Sequence, residues 1–291
     1  MFFPSKILLF GEYAIIKGGE ALALPLPLFG GKWAFESDRK KQQDLSKLLA
    51  YLHQFGQSGT LLAPLDLAQF ESELSEGLYF ESDIPAGYGA GSSGALVAAI
   101  LARFGDKNKL EKTSLEALKK MLGQIESYFH GASSGIDPLV CYLQKSLFIG
   151  EGGNLKTVNP PESGQFFLLD TGQSRQTVPL VQWFLEKCKN PDFEKMLAAD
   201  LMHRNAEAIA AFLSGQRDIL WQAFHEISLF QFRHFEKMIL PAQRDLWLEG
   251  LQGGDFKLKL CGAGGGGFVL GIAKKSDLPV LAGQKIYPLS F

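Results

Sequence analysis

Two serines after a glycine-rich loop are the first residues in this sequence suited to phosphate chemistry. Ser92 and Ser93 begin an apolar helix, and Gly87, Gly89 and Gly91 before them allow close backbone approach and positive φ. The free N–H groups at a helix start attract phosphate, and the two hydroxyls could reach a phosphate oxygen or Mg²⁺. Alternatively, the stretch is a glycine-rich turn leading into a capped core helix.

Two familiar nucleotide motifs can be compared with this loop. It lacks the lysine of G-x-x-x-x-G-K-[ST], so it is not that P-loop. Residues 89–94, GAGSSG, match G-x-G-x-x-G, but a dinucleotide fold needs a second strand soon after the helix. Residues 106–121 are polar and helix-like instead, which argues against a dinucleotide-binding fold.

Two carboxylates flank a loop of small residues further along the chain. Glu126 lies on the last turn of a helix predicted over 113–129, and Asp137 follows the Ser/Gly loop after it. One carboxylate could hold a divalent cation while the other faces a substrate hydroxyl. Asp137 could also simply cap the helix predicted after Pro138. The pair indicates a functional site more strongly than either carboxylate does alone.

Charged residues also border the first apolar strand, and a second glycine-rich turn occurs near the C-terminus. Lys6 precedes the buried run and Glu12 follows it; such charges are usually solvated, but Lys6 could direct its ammonium at phosphate oxygens. Residues 261–267, CGAGGGG, join two predicted strands. This turn is either a flexible hairpin or a place where backbone approaches a ligand.

The hydrophobic pattern predicts a mixed α/β chain, and the pattern of predicted helices and strands changes after residue 148. In the first part we predict strands over 6–10, 21–26, 32–37 and 79–84 and helices over 44–55, 95–101, 113–129 and 139–143. In the second part we predict strands over 166–170, 256–260 and 268–273 and helices over 178–189, 192–213 and 216–238. Residues 159–164 read as a linker, so we predict a domain boundary at about residue 160.

Composition and charge exclude several classes of protein. The chain has 291 residues, 46% hydrophobic content and a net charge of −2, which is typical of a globular protein and suggests neither nucleic acid nor an anionic membrane as partner. Three cysteines without C-x-x-C spacing suit a reducing cytoplasm and argue against structural zinc. The apolar N-terminus is too interrupted for a membrane span and lacks a basic leader.

Three motifs in the right order resemble the GHMP kinase superfamily. They are KILLFGEYAIIKGGEALALPL at 6–26, IPAGYGAGSSGALVAA at 84–99 and KLCGAGGGGFVLGI at 259–272. Within the superfamily the chain is most similar to the mevalonate kinase family. Residues 126–137 match that family's Glu, His-Gly and Ser-Gly-hydrophobic-Asp in register, and 171–181 resemble its substrate-side Thr loop.

The resemblance implies a two-domain α/β (α+β) fold. Residues 1–160 would form the N-terminal, S5-domain-2-like nucleotide-binding domain, and residues 161–291 the C-terminal ferredoxin-like domain. ATP would lie across the second motif with its phosphates at the helix start. The resemblance also implies Mg²⁺ as cofactor, a small hydroxyl-bearing substrate and a homodimer.

Residue roles follow from the same resemblance. Asp137 would be the catalytic base or the group that orients the substrate hydroxyl, and Lys6 the cation beside it; Ser93 and Glu126 would be the Mg²⁺ ligands. The expected nucleotide-binding residues are Gly87, Gly89, Ala90, Gly91, Ser92 and Ser93. The expected substrate-binding residues are Glu12, Tyr13, His130, Ser134, Thr177 and Gly264.

The implied activity is transfer of the γ-phosphoryl group of ATP to a hydroxyl, most specifically mevalonate to 5-phosphomevalonate in isoprenoid biosynthesis. Tyr13 departs from the family's usual His, and Gly94 from its usual Ala. The alternatives are phosphomevalonate kinase or another GHMP kinase, diphosphomevalonate decarboxylase, and a non-catalytic ligand-binding regulator. Glu126 and the His130-Gly131 pair favour a kinase over the decarboxylase, and retention of both matched catalytic positions argues against a regulator.

Overall fold

The structure is a computed structural model that describes residues 1–36, 43–161, 165–175, 177–275, 281 and 283–291. It divides into two compact units, each assembled from three segments. The first unit is Met1–Lys6, Leu24–Pro85 and Ala90–Lys145, and the second is Ile7–Ala23, Ala86–Gly89 and Ser146–Phe291. Residue 160 lies inside the second unit, and the domain division at that residue stays a prediction.

The first unit consists mainly of helices. Its elements, in chain order, are the beginning of β1 (Phe2–Phe10), most of β2 (Ala21–Phe35), α1 (Gln43–Gln57), α2 (Leu67–Ser75), β3 (Leu78–Ser82), α3 (Ser92–Phe104), α4 (Lys107–Leu110), α5 (Leu115–His130) and α6 (Ile136–Leu143). Strands β2 and β3 pair antiparallel, with Gly31 opposite Ser82. Helix α3 is apolar on nearly every side and is buried against α5 and α6, so it forms the core of this unit.

Strand β2 is one long strand where the sequence predicted two short ones. The prediction of separate strands over 21–26 and 32–37 was wrong, because Gly30 and Gly31 continue the strand instead of turning the chain. A Cβ at Gly30 would overlap the Phe2 ring, and one at Gly31 would overlap the Phe80 ring. The two glycines therefore make room for aromatic side chains from neighbouring strands, a common use of glycine inside a sheet.

The second unit is an antiparallel sheet with helices. It contains the end of β1 and the start of β2. Its further elements are β4 (Ser146–Ile149), β5 (Leu155–Val158), β6 (Phe166–Asp170), α7 (Thr177–Lys187), α8 (Pro191–Met196), a π-helical turn (Leu197–Met202), α9 (His203–Leu213), α10 (Arg217–His234), α11 (Pro241–Gln252), β7 (Phe256–Leu260), β8 (Phe268–Ala273) and β9 (Ile286–Leu289). Four strands form a sheet in the order β7-β8-β6-β9. Helices α10 and α11 pack on β7, so this strand of the β7–β8 hairpin is buried.

The predicted helices and strands of the C-terminal half are confirmed to within a few residues. The mixed helix and strand content agrees with the predicted α/β (α+β) class. Parts of three predicted segments, Ser37, residues 162–164 of the linker and Gln176 of the Thr loop, lie outside the described residues. Within the described ranges, no helix is both long and apolar enough to cross a membrane.

Candidate active site

A buried lysine and an aspartate form an ion pair in the first unit. Lys6 lies in β1, and its Nζ is 2.7 Å from Oδ2 of Asp137. The Lys6 side chain is 8% exposed, whereas that of Asp137 is 42% exposed. Lys6 therefore lies within the apolar strand and not at its solvated margin. The pair presents one carboxylate to solvent with a cation fixed behind it.

The start of α6 sets the position of Asp137. Gly135 precedes the helix with φ 74°, and Asp137 lies in its first turn, where the helix dipole favours a negative charge. A Cβ at Gly94 of α3 would lie 3.1 Å from the Asp137 carbonyl carbon. The glycine that replaces the family's usual alanine thus lets α3 pass close to the backbone of the candidate base.

The helix start of α3 brings a second polar cluster together. The Ser93 hydroxyl donates to Oε1 of Glu126 at 3.0 Å, and His130 Nε2 lies 3.1 Å from the same hydroxyl oxygen. Ser133 donates to the other oxygen of Glu126 at 2.5 Å. Residues predicted separately as metal ligands and substrate ligands are here in direct contact.

Glu126 is a nearly buried carboxylate, 5% exposed. Burial raises its pKa above the ordinary glutamate range and nearby Asp137 raises it further, while the hydroxyls of Ser133 and Ser93 oppose the shift. A buried carboxylate next to a serine hydroxyl offers the hard oxygen ligands that Mg²⁺ takes. No cluster of three or more His, Cys, Asp or Glu side chains with metal-site geometry occurs among the described residues.

Lys6 also contacts the backbone of the glycine-rich loop. Its backbone N–H donates to the Ala90 carbonyl at 2.9 Å. Gly91 caps α3 with φ 81°, and a Cβ there would lie 2.7 Å from Lys6 Cγ. Ser92 and Ser93 are the first two residues of the helix. The loop and the lysine are therefore packed so closely that only glycine fits at position 91.

In the second unit, Glu12 forms an ion pair that the sequence did not predict. Its Oε1 is 2.6 Å from Nζ of Lys259, and the two side chains are 3% and 0% exposed. Lys259 also donates to the Leu260 carbonyl at 2.9 Å. Burial raises the pKa of Glu12, and the positive charge of Lys259 opposes that shift. The first motif is thus connected to the third through a fully buried pair of charges.

Tyr13, which stands where the family usually has His, also contacts the third motif. Its hydroxyl donates to the Ala263 carbonyl at 2.6 Å, and the residue is 3% exposed. Its ring packs on Phe184 and Phe235 with centroid distances of 4.7 and 5.0 Å. Burial raises the pKa of the Tyr13 phenol. The hydroxyl is therefore already bonded within the protein.

The remaining predicted site residues fall into different surroundings. Ser134 is exposed, and its hydroxyl accepts a bond from the backbone of α6 at 3.4 Å. Thr177 is exposed at the first position of α7. Gly264 is buried, and a Cβ there would lie 2.6 Å from the Met238 carbonyl oxygen. Gly87 and Gly89 belong to the second unit and face residues 174 and 175.

Sequence reasoning missed Ser133 and Lys259 as members of these clusters. Ser133 lies within the Ser/Gly loop that precedes Asp137, and its spacing from Glu126 on the preceding helix end was the available signal. Lys259 lies in strand β7, FKLKL, whose alternation predicts that both lysines are exposed. Both are buried instead, because Lys257 donates to the Gly250 carbonyl in the last turn of α11 and Lys259 pairs with Glu12.

Known proteins resemble this chain in sequence. Residues 48–145 match the sequence model of the GHMP kinases N terminal domain. The chain is 25% identical to a mevalonate kinase of Pyrococcus abyssi over 97% of this chain and 91% of that protein. Over residues 48–145 the chain is similar to the GHMP kinases. The predicted resemblance is confirmed.

Solved structures show the same GHMP kinase fold. L. major mevalonate kinase in complex with R-mevalonate matches with a TM-score of 0.69 at 17% identity, over 99% of this chain and 94% of that one. Streptococcus pneumoniae phosphomevalonate kinase in complex with phosphomevalonate and AMPPNP matches with a TM-score of 0.66 at 16% identity, over 95% and 92%. At these identities the likeness establishes the fold.

Proposed function

We propose that this protein is a GHMP kinase that transfers the γ-phosphoryl group of ATP to a hydroxyl of mevalonate. The observation that carries the proposal is the ion pair between Lys6 and Asp137, in which a buried ammonium adjoins a carboxylate that solvent can reach. Phosphoryl transfer depends on positioning and charge neutralisation more than on covalent chemistry. A fixed cation and an accessible acceptor of a proton are the two groups this reaction needs.

The roles proposed for these side chains follow from their surroundings. Asp137 accepts a hydrogen bond from the acceptor hydroxyl, orients it, and takes its proton as the oxygen attacks phosphorus. Lys6 neutralises charge on the transferring phosphoryl group, since its ammonium is already held within 2.7 Å of Asp137. The N–H groups at the start of α3 would bind phosphate oxygens.

Ser93 and Glu126 would hold Mg²⁺, because their oxygens already lie 3.0 Å apart at the start of α3. When bound, Mg²⁺ neutralises charge on the ATP phosphates. Ser93 and Ser133 donate to Glu126 and hold it in place, and His130 contacts the Ser93 hydroxyl. The three free cysteines fit a reducing compartment and support a cytoplasmic location, and family resemblance alone supports a homodimer.

An acceptor panel tests the proposed function. Purified protein with ATP and Mg²⁺ is offered mevalonate, phosphomevalonate and diphosphomevalonate, and ADP and CO₂ are measured together. We expect ADP release that depends on mevalonate, without CO₂. Release of CO₂ from diphosphomevalonate would identify the decarboxylase instead. ADP release with phosphomevalonate alone would transfer the assignment to that substrate, and tight binding without turnover would identify a regulator.

The polar cluster predicts how the Mg²⁺ requirement changes. Ser93→Ala and Glu126→Gln each remove one proposed ligand, so each should raise the Mg²⁺ concentration for half-maximal rate and lower that rate. Ser133→Ala is a useful comparison, because it removes a hydrogen bond to Glu126 and no proposed ligand. Rate is measured against free Mg²⁺ at saturating ATP. If both ligand variants titrate with Mg²⁺ like the unaltered protein, the ligand assignment is wrong.

Close packing at Gly91 predicts loss of nucleotide binding in Gly91→Val. A β-branched side chain at φ 81° is strained, and its Cβ would meet Lys6. Gly59→Val is the matched control, since Gly59 has φ 70° with no atom within 4 Å of a built Cβ. We expect the control to bind ADP normally, as measured by calorimetry, and Gly91→Val to bind none detectably. Normal ADP affinity in a folded Gly91→Val protein would show that the loop serves only as a turn.

A further inference from the structure

The segment 171–175 lies between two glycine-rich loops of the second unit. The Gly267 N–H donates to the Gln173 carbonyl at 2.6 Å, and the Arg175 N–H donates to the Gly87 carbonyl at 3.0 Å. One side of the segment thus bonds to the third motif and the other to the second. The part of the second motif concerned is Ala86–Gly89, which continues along the chain into Ala90–Ser93.

The side chain of Arg175 spans the same two loops. Its Nη1 donates to the Cys261 carbonyl at 2.5 Å. A Cβ at Gly262 would lie 2.6 Å from Nη1 and Nη2, and one at Gly89 would overlap the guanidinium. The guanidinium therefore occupies space that any residue other than glycine would fill at either position.

The other glycines of these loops face the same segment. A Cβ at Gly87 would lie 3.0 Å from Cβ of Ser174, and one at Gly266 would lie 2.8 Å from the Gln173 carbonyl oxygen. The need for glycine here therefore comes from the protein's own chain. Approach of a ligand to the backbone is not required to explain it.

The chemistry of Arg175 indicates more than space filling. Its Nε is buried and has no hydrogen-bond partner among the described residues. A buried donor without a partner is unfavourable, and an apolar side chain of similar length would avoid that cost. What an apolar side chain could not supply is the hydrogen bond to the Cys261 carbonyl.

We infer that Arg175 is a positioning residue for the nucleotide-binding loop. Its backbone and guanidinium hold Gly87–Gly89 against Cys261 and Gly262, so that this half of the loop is ordered before a nucleotide arrives. The inference rests on the proposed function, because it takes ATP as the ligand of the loop. A loop ordered in advance binds more tightly, since less conformational freedom is lost on binding.

Direct nucleotide binding tests the inference. Calorimetry with ADP and Mg²⁺ should give about tenfold weaker binding for Arg175→Ala. Arg175→Gln keeps an amide donor for the Cys261 carbonyl, so its affinity for ADP should lie between those of the unaltered protein and Arg175→Ala. The KM for the acceptor should stay within about twofold. Unchanged ADP affinity with a raised acceptor KM would overturn the inference, because the guanidinium would then bind the acceptor.

A double-mutant cycle tests the packing without any assay of activity. Gly89→Ala should lower the folding equilibrium constant about tenfold more than Gly215→Ala does, measured by urea unfolding of the full chain. Gly215 has φ 72° and no atom within 4 Å of a built Cβ, so it reports the backbone strain alone. In the Arg175→Ala background the two glycine substitutions should lower the folding equilibrium constant by the same factor.

The outcomes separate the inference from the proposed function. Additive effects of Gly89→Ala and Arg175→Ala would overturn the contact on which the inference is built. An unaltered protein that binds no ADP would overturn the proposed function, whatever the cycle gives. Normal binding by the unaltered protein and equally tight binding by both Arg175 variants would overturn the inference alone.

Discussion

Replacing Asp137 by Asn should lower kcat by about 10²–10⁴-fold while nucleotide affinity stays within a few-fold. The carboxylate is 42% exposed and can reach an acceptor hydroxyl, whereas the proposed nucleotide contacts lie on Ser93, Glu126 and the loop amides. Asn keeps the size of the side chain, and α6 has no side-chain cap bond that the substitution could break. The loss therefore reports the missing proton acceptor, measured as steady-state rate alongside ADP calorimetry.

Asp66→Asn is the matched control for this substitution. Asp66 also serves at a helix start in the first unit, where its carboxylate accepts from the Gln69 N–H at 2.9 Å. It should keep full turnover. Lys6→Met should lose about as much rate as Asp137→Asn, with weaker ATP binding in addition, because its charge serves both the phosphate and the carboxylate. Near-normal turnover in folded Asp137→Asn would refute the proposed base.

Replacing Lys259 by Met should destabilise the fold by about 3–5 kcal/mol, because Glu12 would be left as a buried charge without its partner. The two side chains are 0% and 3% exposed, so water cannot take over the role of the lysine. Adding Glu12→Gln to Lys259→Met removes the second charge and should recover most of the loss. Urea unfolding of the three proteins measures both steps, and a double variant no more stable than the single one would contradict the account.

The stability of Lys259→Met should depend on pH in a defined direction. Burial raises the pKa of Glu12 above its ordinary value of 4.5, and loss of Lys259 removes the charge that opposes this rise. A carboxyl whose pKa is raised on folding favours the fold below the unfolded pKa, and that contribution is lost as pH rises through the folded pKa. The free energy of unfolding of Lys259→Met should therefore be closest to that of the unaltered protein near pH 4.5. The difference between the two proteins should grow toward pH 8. A constant difference would contradict this.

The sequence predicted the first-unit cluster well because its signals are local. Glu126, His130 and Asp137 are brought together by one helix end and the loop after it. Ser93 joins them because α3 packs against α5 and α6. Their roles in catalysis and Mg²⁺ binding stay predictions, but the contacts among them were accessible from spacing and helix ends.

The second unit was harder to predict because its contacts join distant parts of the chain. Lys259 pairs with Glu12, and Tyr13 donates to the Ala263 carbonyl, so first-motif side chains bond to the third motif. Neither contact leaves a periodic pattern, and the alternation of β7 predicts the opposite burial for Lys259. Arg175 lies within the Thr loop predicted over 171–181, but only the structure shows its contact with two glycine loops.

The product formed from mevalonate tests the central claim most directly. Protein, ATP, Mg²⁺ and mevalonate are incubated, and acceptor and nucleotide are quantified together by mass spectrometry and ³¹P NMR. We predict one phosphomonoester on the acceptor for each ADP formed, and formation of that product about 10²–10⁴-fold slower in Asp137→Asn. ADP accompanied only by inorganic phosphate, or phosphorylated mevalonate formed equally well by Asp137→Asn, would contradict the account.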